Sequence, residues 1–389
     1  MSDELLVVAV EASADLHGAA VLRELRAMRP QLRAFGAAGP LLREAGCEAL
    51  VRAEDLSVMG IAEVLPALPR IFRALRTLRR AAAERTPRAA LLIDSPDFNL
   101  RLARRLRRLG VPVAYFIGPS VWAWRTYRVR QIARDVARML VILPFEAEFY
   151  ARHGVPALYV GNPLTDARQL GTATTPSSTS RRAARMQARR ALALDEERPV
   201  LALLPGSRRQ EVHRIWPRML AAARTLCARR PELQLAVPVA PTVRREWLPT
   251  QLPVTFIEGR TPEVLAAADV AVVASGTATM EAALAQVPSV VVYRLSWLSW
   301  LVGRLLVRVP FISLVNLLAG RRVVPELLQR QCTGDRIAAE AEALLSSPSE
   351  REAQVQGMRQ IRQSLAPAGA PAAARRVAEA LAELLGAPR

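Results

Sequence analysis

Short runs of apolar residues alternate along the chain with longer stretches in which apolar residues recur at helical spacing. The short runs are typical of strands that are buried on both faces, and the stretches between them are typical of helices that cover a parallel sheet. The runs that we interpret as strands are residues 5–10, 89–93, 111–117, 155–160, 200–204, 233–239, 254–256 and 269–274. This alternation predicts an α/β protein built from strand–helix–strand units.

The stretch 89–125 contains the clearest of these units and the first candidates for chemistry. Its opening strand is followed by Asp94, Pro96 and Asp97, and Pro96 should end the strand because it has no N–H to donate. A helix and a second strand then lead to a loop that contains Ser120 and two tryptophans. Ligands of open α/β sheets bind at the carboxyl ends of the strands, so we expect these side chains to line a site.

Two strands in the second half of the chain end in turns that begin helices. The first of these turns contains Ser207 and Arg208, and Gln210 is placed to form a capping box with Ser207. A helix start beside arginines is suited to bind a diphosphate. A plain capped helix with exposed arginines would show the same pattern, so both interpretations stay open.

The second turn contains Ser275 and Thr277, and it places Glu281 within the first turns of the following helix. A carboxylate there can accept both hydroxyls of a ribose, or it can simply stabilise the helix dipole. Asn316, in a later loop, is a further polar candidate. Two helix starts that can bind anions in one parallel-sheet domain favour a nucleotide as the ligand.

Small polar residues at 171–180 show no periodicity, and we interpret them as a linker between two domains. The predicted division is an N-terminal Rossmann-like domain at 1–168, the linker and a connecting helix at 169–195, and a second Rossmann-like domain at 196–350. The C-terminal helices at 351–389 are expected to pack back toward the first domain. Two αβα domains with a cleft between them form the GT-B architecture.

The charge of the chain is strongly positive, since 54 basic residues, all of them arginine, stand against 35 acidic residues and give a net charge of +19. Nucleotide phosphates, nucleic acid or an anionic membrane surface would complement this charge. The arginines are dispersed through helical stretches rather than clustered with aromatic residues, which argues against a nucleic-acid-binding module.

The three cysteines and three histidines are isolated, so we expect no disulfide framework, no metal site and no cofactor. The N-terminus shows no signal-peptide pattern. The most apolar region, residues 289–315, is interrupted by arginines and by Pro310, and a membrane-spanning helix is therefore not expected. These features predict a cytoplasmic protein.

Residues 69–80 predict an amphipathic helix with Ile71, Phe72 and Leu75 on its apolar face. Arginines, including Arg73 and Arg76, occupy the opposite face. The pattern fits an ordinary helix that packs on the core and exposes a basic side. It fits equally an interfacial helix whose apolar face enters a membrane.

Seven blocks of the sequence resemble the lipid-A-disaccharide synthases, which are bacterial glycosyltransferases that join two acylated glucosamine units. The blocks are IDSPDFNLRLA, GPSVWAWR, LPFEAEFY, VGNPL, LLPGSRRQE, ASGTATMEAAL and ISLVNLLAGRRVVPELLQ. They lie between residues 93 and 329 in the order of the family, and the resemblance as a whole covers about residues 5–345. The chain departs from the family where it has Val10 and Ala14 in place of glycines and Asn162 in place of a histidine.

The resemblance implies a donor, UDP-2,3-diacylglucosamine, and an acceptor, 2,3-diacylglucosamine 1-phosphate. The products would be the β-1,6-linked lipid A disaccharide 1-phosphate and UDP. Because both substrates carry acyl chains, the enzyme is expected at the inner face of the cytoplasmic membrane, bound peripherally. No nucleic acid partner is expected, and a homodimer is left open.

An α-linked donor that gives a β-linked product requires in-line attack by the acceptor 6-hydroxyl with the help of one base. We assign Asp97 as this base, with Asp94 as the alternative, although Asp97 could instead cap the following helix. The residues expected to bind substrate or UDP are Ser13, Ser120, Ser207, Arg208, Ser275, Thr277, Glu281 and Asn316. Ser13 could also be a helix cap.

Two other classes of function remain as alternatives. The first is another GT-B enzyme that uses UDP-N-acetylglucosamine, such as the transferase that acts on a lipid-linked muropeptide or UDP-N-acetylglucosamine 2-epimerase. The second and more remote one is a basic nucleic-acid-binding protein.

Overall fold

The computed structural model describes residues 3–56, 61–124, 126–166, 178–297, 309–366 and 371–386, together with residues 300, 301, 303 and 307. The chain divides into two compact units. Unit 1 consists of Met1–Pro163 and Ala368–Arg389, and unit 2 consists of Leu164–Pro367. The domain boundary thus lies a few residues before the one expected from the sequence. Residues 171–177 of the expected linker lie outside the described residues, and residues 178–180 already belong to a helix.

Unit 1 is built on a seven-stranded sheet in which all neighbouring strands are parallel, in the order β3-β2-β1-β4-β5-β6-β7. The strands are β1 (Glu4–Ala9), β2 (Arg33–Ala38), β3 (Cys47–Arg52), β4 (Ala89–Ile93), β5 (Val113–Phe116), β6 (Arg138–Val141) and β7 (Ala157–Tyr159). The helices of the N-terminal part are α1 (Ala12–Met28), α2 (Pro40–Glu44), α3 (Ile61–Arg85), α4 (Pro96–Arg108), α5 (Arg128–Asp135) and α6 (Pro144–Ala151).

Helices cover both faces of this sheet, because successive side chains of each buried strand point to opposite faces. In β1, Leu6 and Val8 belong to the layer formed with α3, α4 and α5. Leu5 and Val7 belong to the layer formed with α1 on the other face. The continuous apolar runs in the sequence therefore reflect burial on both sides.

Unit 2 contains a six-stranded parallel sheet in the order β10-β9-β8-β11-β12-β13. Its strands are β8 (Val200–Leu204), β9 (Gln234–Val239), β10 (Val254–Glu258), β11 (Val270–Ala274), β12 (Ser289–Tyr293) and β13 (Glu326–Leu328). Its helices are α7 (Ser178–Ala191), α8 (Arg209–Arg229), α9 (Thr261–Ala267), α10 (Thr277–Leu284), α11 (Leu314–Ala319), α12 (Gly334–Ser346) and α13 (Pro348–Leu365). Both sheets contain the Rossmann strand order, which confirms the predicted fold class.

The chain returns to unit 1 only with its last helix, α14 (Ala373–Leu385). The buried face of α14, including Val377 and Leu381, packs in the layer that contains α1. The preceding helix α13 differs from the expectation for residues 351–389, because Met358 and Ile361 are buried in a cluster of unit 2 with residues of α10 and α11. Its apolar face is therefore already covered inside unit 2.

In the described part of the chain, no helix is long and apolar enough to cross a membrane.

Candidate active site

Each sheet contains one point at which the strand order reverses. In unit 1 the neighbours β1 and β4 lead outward to opposite edges of the sheet, and in unit 2 the neighbours β8 and β11 do the same. The loops that follow such a pair of strands separate and leave a crevice at the carboxyl edge, where ligands of these folds bind. These loops contain residues 10–15 and 94–97 in unit 1, and residues 205–208 and 275–281 in unit 2.

The loop after β4 is a tight turn with an unusual backbone. Asp94 and Ser95 both adopt the left-handed conformation, with φ of 52° and 42°. Residues other than glycine occupy this region at a cost of about 1–3 kcal/mol each, so the surroundings must hold them there. The Asp94 N–H donates to the Phe116 carbonyl at 3.0 Å. The Asp94 carbonyl accepts hydrogen bonds from the Tyr115 hydroxyl at 2.6 Å and from the Asn99 side-chain amide at 2.8 Å.

This turn brings Asp94 close to a carboxylate from the loop after β1. The Ser95 hydroxyl donates to Glu11 at 2.8 Å. Burial raises the pKa of Asp94, the nearby Glu11 charge raises it further, and a hydrogen bond from the Ser95 N–H opposes both effects. Glu11 was not among the residues predicted for the site. Its position directly after the first strand, at the same sheet edge as Asp94, was the signal in the sequence.

Asp97 lies in the first turn of α4 with its side chain 72% exposed. Its carboxylate pairs with Arg128 at 2.7 Å. The N-cap position of α4 is occupied by Ser95, so Asp97 is not the N-cap residue of this helix. An exposed carboxylate at the carboxyl edge of the sheet can reach a ligand that binds there.

The loop after β5 forms a hydrogen bond with a buried carboxylate, that of Glu146. Ser120 is exposed, while Trp122 donates its indole N–H to Glu146 at 3.0 Å and packs edge-on against Phe145. The second oxygen of Glu146 accepts the Leu143 N–H at 3.0 Å at the start of α6. Burial raises the pKa of Glu146 to about 7, and the hydrogen bonds only partly offset it. Glu146, within the LPFE block, was also not predicted for the site.

The loop after β1 has a mainly structural acid beside an exposed serine. Asp15 is buried and accepts the N–H groups of Gly39, Leu41 and Leu42 at 2.8–3.1 Å. It therefore caps the start of α2 rather than that of its own helix. Ser13 is exposed in the first turn of α1, whose N-cap residue is Glu11.

The three departures from the family pattern in unit 1 all have buried side chains. Val10 and Ala14 belong to the two hydrophobic layers on opposite faces of the sheet. Asn162 is buried, and its amide donates to the Ile142 carbonyl at 3.4 Å. Unit 1 thus accommodates each of these side chains within its packed interior.

The first helix start in unit 2 has an exposed arginine and a required glycine. Gly206 has a φ of 103°, and a Cβ atom there would lie 2.8 Å from a carboxylate oxygen of Glu211. The N-cap residue of α8 is Arg208, whose side chain makes no capping bond and is 83% exposed. The predicted capping box between Ser207 and Gln210 is therefore wrong. Ser207 itself is exposed in the turn.

The second helix start in unit 2 is formed by Gly276, the N-cap residue of α10. Ser275 continues the sheet, since its N–H donates to the Val292 carbonyl at 2.9 Å, and Thr277 is exposed at the first helical position. Glu281 lies in the second turn, where burial raises its pKa. Because the dipole effect is confined to the first turn, stabilisation of the helix start does not explain Glu281.

Asn316 is fully buried, and its side chain has no capacity left for a ligand. Its oxygen accepts the N–H groups of Val323 and Val324 at 2.7 and 3.0 Å. Its nitrogen donates to the Val324 carbonyl at 2.9 Å and to Glu326 at 2.8 Å. A side-chain amide makes about four hydrogen bonds at most, so the side chain of Asn316 is fully used in holding the chain after α11 in place. Its predicted contact with UDP stays a prediction.

Among the described residues, no group of three or more histidine, cysteine, aspartate or glutamate side chains could hold a metal ion.

Comparison with known proteins identifies relatives along the whole chain. The family model of lipid-A-disaccharide synthetase matches residues 5–379. The lipid-A-disaccharide synthase of Anaeromyxobacter dehalogenans (strain 2CP-C) is 53% identical over 395 residues, which cover 100% of this chain and 98% of that protein. The enzyme of the same name from Myxococcus xanthus (strain DK1622) is 50% identical over 387 residues, covering 98% and 97% of the two chains.

Solved structures with low sequence identity share the fold. The UDP-GlcNAc 2-epimerase from Neisseria meningitidis, solved with UDP-GlcNAc bound, superposes with a TM-score of 0.67 at 14% identity, over 97% of this chain and 99% of that one. The glycotransferase of kitacinnamycin superposes with a TM-score of 0.63 at 17% identity, over 98% and 99% of the two chains. The fold of this chain is GT-B.

The raised pKa of Glu146 predicts a specific pH dependence of stability. Its ordinary value is 4.5, so between about pH 4.5 and 7 the folded chain binds more protons at this position than the unfolded chain does. The stabilisation is present below pH 4.5 and is lost as the pH rises through 7. Relative to Glu146→Gln, the native chain should lose up to about 3 kcal/mol of unfolding free energy over this interval.

Urea unfolding at a series of pH values measures this difference. Glu148→Gln is the control, since Glu148 is exposed on the same helix and, in the part of the chain that the structure describes, its ion pair is with Arg152 one turn later. The difference between Glu148→Gln and the native chain should stay nearly constant with pH. Parallel pH curves for Glu146→Gln and the native chain would contradict the raised pKa.

Proposed function

The chain belongs to the lipid-A-disaccharide synthase family of GT-B glycosyltransferases, and from this we propose its substrates and the roles of its residues. The donor is UDP-2,3-diacylglucosamine and the acceptor is 2,3-diacylglucosamine 1-phosphate. Transfer to the acceptor 6-hydroxyl with inversion yields the lipid A disaccharide 1-phosphate and UDP. The observation that carries the proposal is the 53% identity to a lipid-A-disaccharide synthase over the whole chain.

The same comparison decides against the two alternatives. An epimerase is related to this chain by fold at 14% identity, whereas the synthases match it at 40–53% identity over nearly their full length. A nucleic-acid-binding function has no support beyond the positive charge.

The donor nucleotide is assigned to the strand ends of unit 2. The N–H groups at the start of α8 and the exposed guanidinium of Arg208, which lies 3.6 Å from a carboxylate oxygen of Glu211, are assigned to the diphosphate. Ser207, Ser275 and Thr277 provide hydroxyl and backbone groups at the same edge of the sheet. Glu281, half-buried in the second turn of α10, is placed to accept ribose hydroxyls. Positive groups that are already in place can stabilise the leaving UDP.

The base is assigned to the turn after β4 in unit 1, residues 94–97, which we call the acidic turn, with Asp97 as the acceptor of the proton from the sugar hydroxyl. Asp97 is the more exposed carboxylate and projects from the first turn of α4. Asp94 is partly buried beside Glu11, with its pKa raised mainly by burial, and it is kept as the alternative base because it is less exposed to a substrate than Asp97. Ser13 and Ser120, both exposed at this edge, are assigned to substrate binding.

Two substitutions should separate the catalytic and binding roles. Asp97→Asn removes the proton acceptor and should lower turnover about 10²–10⁴-fold while the affinity for UDP is retained. Glu281→Ala should weaken UDP binding through the loss of the ribose contacts. The measurements are UDP release in the presence of both acylated sugars and UDP binding by calorimetry.

UDP release should require both acylated substrates. Release of UDP with the donor alone would contradict the assignment as a transferase. Near-normal turnover of Asp97→Asn would transfer the role of base to Asp94. An unchanged UDP affinity in Glu281→Ala would remove Glu281 from the donor site.

We also propose that the outer surface of α3, α4 and α5 rests against the anionic cytoplasmic face of the membrane. Helix α3 packs beside α4, and α4 beside α5. Exposed arginines on all three helices face away from the sheet. They are Arg70, Arg73, Arg76, Arg79, Arg80, Arg101, Arg104, Arg107, Arg108, Arg130 and Arg134.

The apolar part of this surface is smaller than the sequence suggested. Leu75 is fully buried in the core of unit 1, because the apolar stripe of α3 packs on the sheet. Ile71 is partly buried against the same core, whereas Phe72 is 48% exposed between arginines. The predicted anchor of Ile71, Phe72 and Leu75 therefore reduces mainly to Phe72, and arginines must supply most of the attraction.

Flotation with anionic vesicles tests this surface. Each arginine near an anionic leaflet contributes on the order of 1 kcal/mol, so Phe72→Ser combined with Arg73→Gln and Arg76→Gln should lower vesicle affinity at least about tenfold. Added salt should weaken binding of the native chain. Leu158→Ser, at an exposed leucine of β7, is the control and should bind normally. Equal binding of the triple variant and the native chain would exclude α3 as the contact.

A further inference from the structure

Two buried polar side chains donate hydrogen bonds to the backbone of the acidic turn. Tyr115 and Asn99 are both fully buried. The Tyr115 hydroxyl donates to the Asp94 carbonyl at 2.6 Å. The Asn99 amide donates to the Ile93 carbonyl at 3.0 Å and to the Asp94 carbonyl at 2.8 Å. Both side chains are shielded from bulk solvent, so their hydrogen bonds are made to the protein, at the end of β4 and in the turn.

The turn depends on these bonds because its own residues do not favour its shape. Asp94 and Ser95 follow each other in the left-handed region, which is sparsely populated by residues other than glycine. The Asp94 N–H is fixed by the Phe116 carbonyl, so the two buried donors complete the restraint on both sides of the Asp94 peptide unit. Helix α4 begins directly afterwards, and Asp97 is its second residue. The direction of the Asp97 side chain therefore follows from the geometry of the turn.

We propose that Tyr115 and Asn99 are positioning residues for the transfer reaction, which hold the left-handed turn so that its carboxylates meet the acceptor hydroxyl in the reactive geometry. This inference rests on the proposed assignment of the base to the turn. A displacement of about 1 Å in a catalytic group can cost about 100-fold in rate without any loss of binding.

The competing explanation is that both side chains merely satisfy buried carbonyls and stabilise unit 1. The chain offers a matched control for this possibility. Tyr150 is also fully buried, lies in the same hydrophobic layer as Tyr115, and has a hydroxyl without a hydrogen-bond partner among the described residues. Tyr150→Phe removes a phenol hydroxyl, as Tyr115→Phe does, but this hydroxyl makes no hydrogen bond to the turn among the described residues.

The experiment compares these two variants of the full chain in the UDP-release assay. Tyr115→Phe should lower kcat at least tenfold, while the KM for both sugars and the affinity for UDP stay within twofold. Tyr150→Phe should change kcat less than twofold. Equal kcat values in the two variants, or a loss in Tyr115→Phe that appears in KM, would overturn the proposal.

Coupling to the base separates this proposal from the base assignment itself. If Tyr115 acts through Asp97, adding Tyr115→Phe to Asp97→Asn should cost less than threefold more in kcat. Should Asp97→Asn retain turnover, the same test in Asp94→Asn decides, and a vanishing effect there keeps the positioning role while the assignment of Asp97 fails. A full, additive loss in both backgrounds would show that Tyr115 does not act through either carboxylate.

Asn99→Leu is the second variant in case Tyr115→Phe does not fold, since it removes both donors at similar volume. It should show the same loss confined to kcat. A folded Asn99→Leu chain with normal kcat would refute the role of Asn99. A crystal structure of either variant should show Asp94 and Ser95 released from positive φ, and an unchanged turn together with unchanged kcat would refute the proposal as a whole.

Discussion

The burial of each parallel sheet between two layers of helices is the constraint on which the rest of the structure depends. A parallel strand must be followed by a crossover, so every loop that leaves a strand end emerges at the same edge of its sheet. In each unit the edge has one reversal of strand order, between β1 and β4 and between β8 and β11. The candidate acids of unit 1 and the two helix starts of unit 2 occupy these two places. The order of the strands therefore determines where these candidate residues lie, whatever the individual side chains are.

The acidic turn shows how a packed core can hold a backbone segment in an unfavourable conformation. Left-handed backbone at Asp94 and Ser95 costs free energy, and so does the placement of partly buried Asp94 beside Glu11. Buried donors from β5 and α4 offset part of this cost through hydrogen bonds to the turn. A turn that is fixed by rigid elements varies little in position, which suits a group that must meet a sugar hydroxyl at hydrogen-bonding distance.

The polar residues near the two sites differ in how deeply their side chains are buried and in how many hydrogen bonds those side chains make within the protein. The carboxylate of Asp15 accepts N–H groups at the start of α2. The side-chain amide of Asn316 forms hydrogen bonds with the backbone of the chain after α11. Asp97 and Arg208 are exposed at strand ends, where each also pairs with a residue of opposite charge, Arg128 and Glu211 respectively. Burial with complete satisfaction favours a structural role, and exposure at a strand end favours contact with a ligand.

The sequence by itself determined the fold class and the family, and it indicated the loops that carry most of the candidate site residues. Continuous apolar runs marked β1, β4, β8 and β11 because both faces of these strands are buried, and the motifs lie directly after them. The predicted runs did not include β2, β3, β6, β12 or β13. The run of β2 is short in large apolar residues and includes Gly36. A Cβ atom at Gly36 would lie only 2.0 Å from the Val7 carbonyl oxygen, so close strand packing rather than hydrophobicity selects this residue.

Only the tertiary structure decided which of the candidate side chains are available. Periodicity showed that residues 69–80 have an apolar face but not which surface covers it, and this face of α3 packs mainly on the core of unit 1. The apolar residues of α13 pack within unit 2. Glu11 and Ser95 are 84 residues apart, and the four hydrogen bonds of Asn316 reach residues up to ten positions away. Such partners are brought together by folding across crossovers and loops, and no local pattern in the sequence records them.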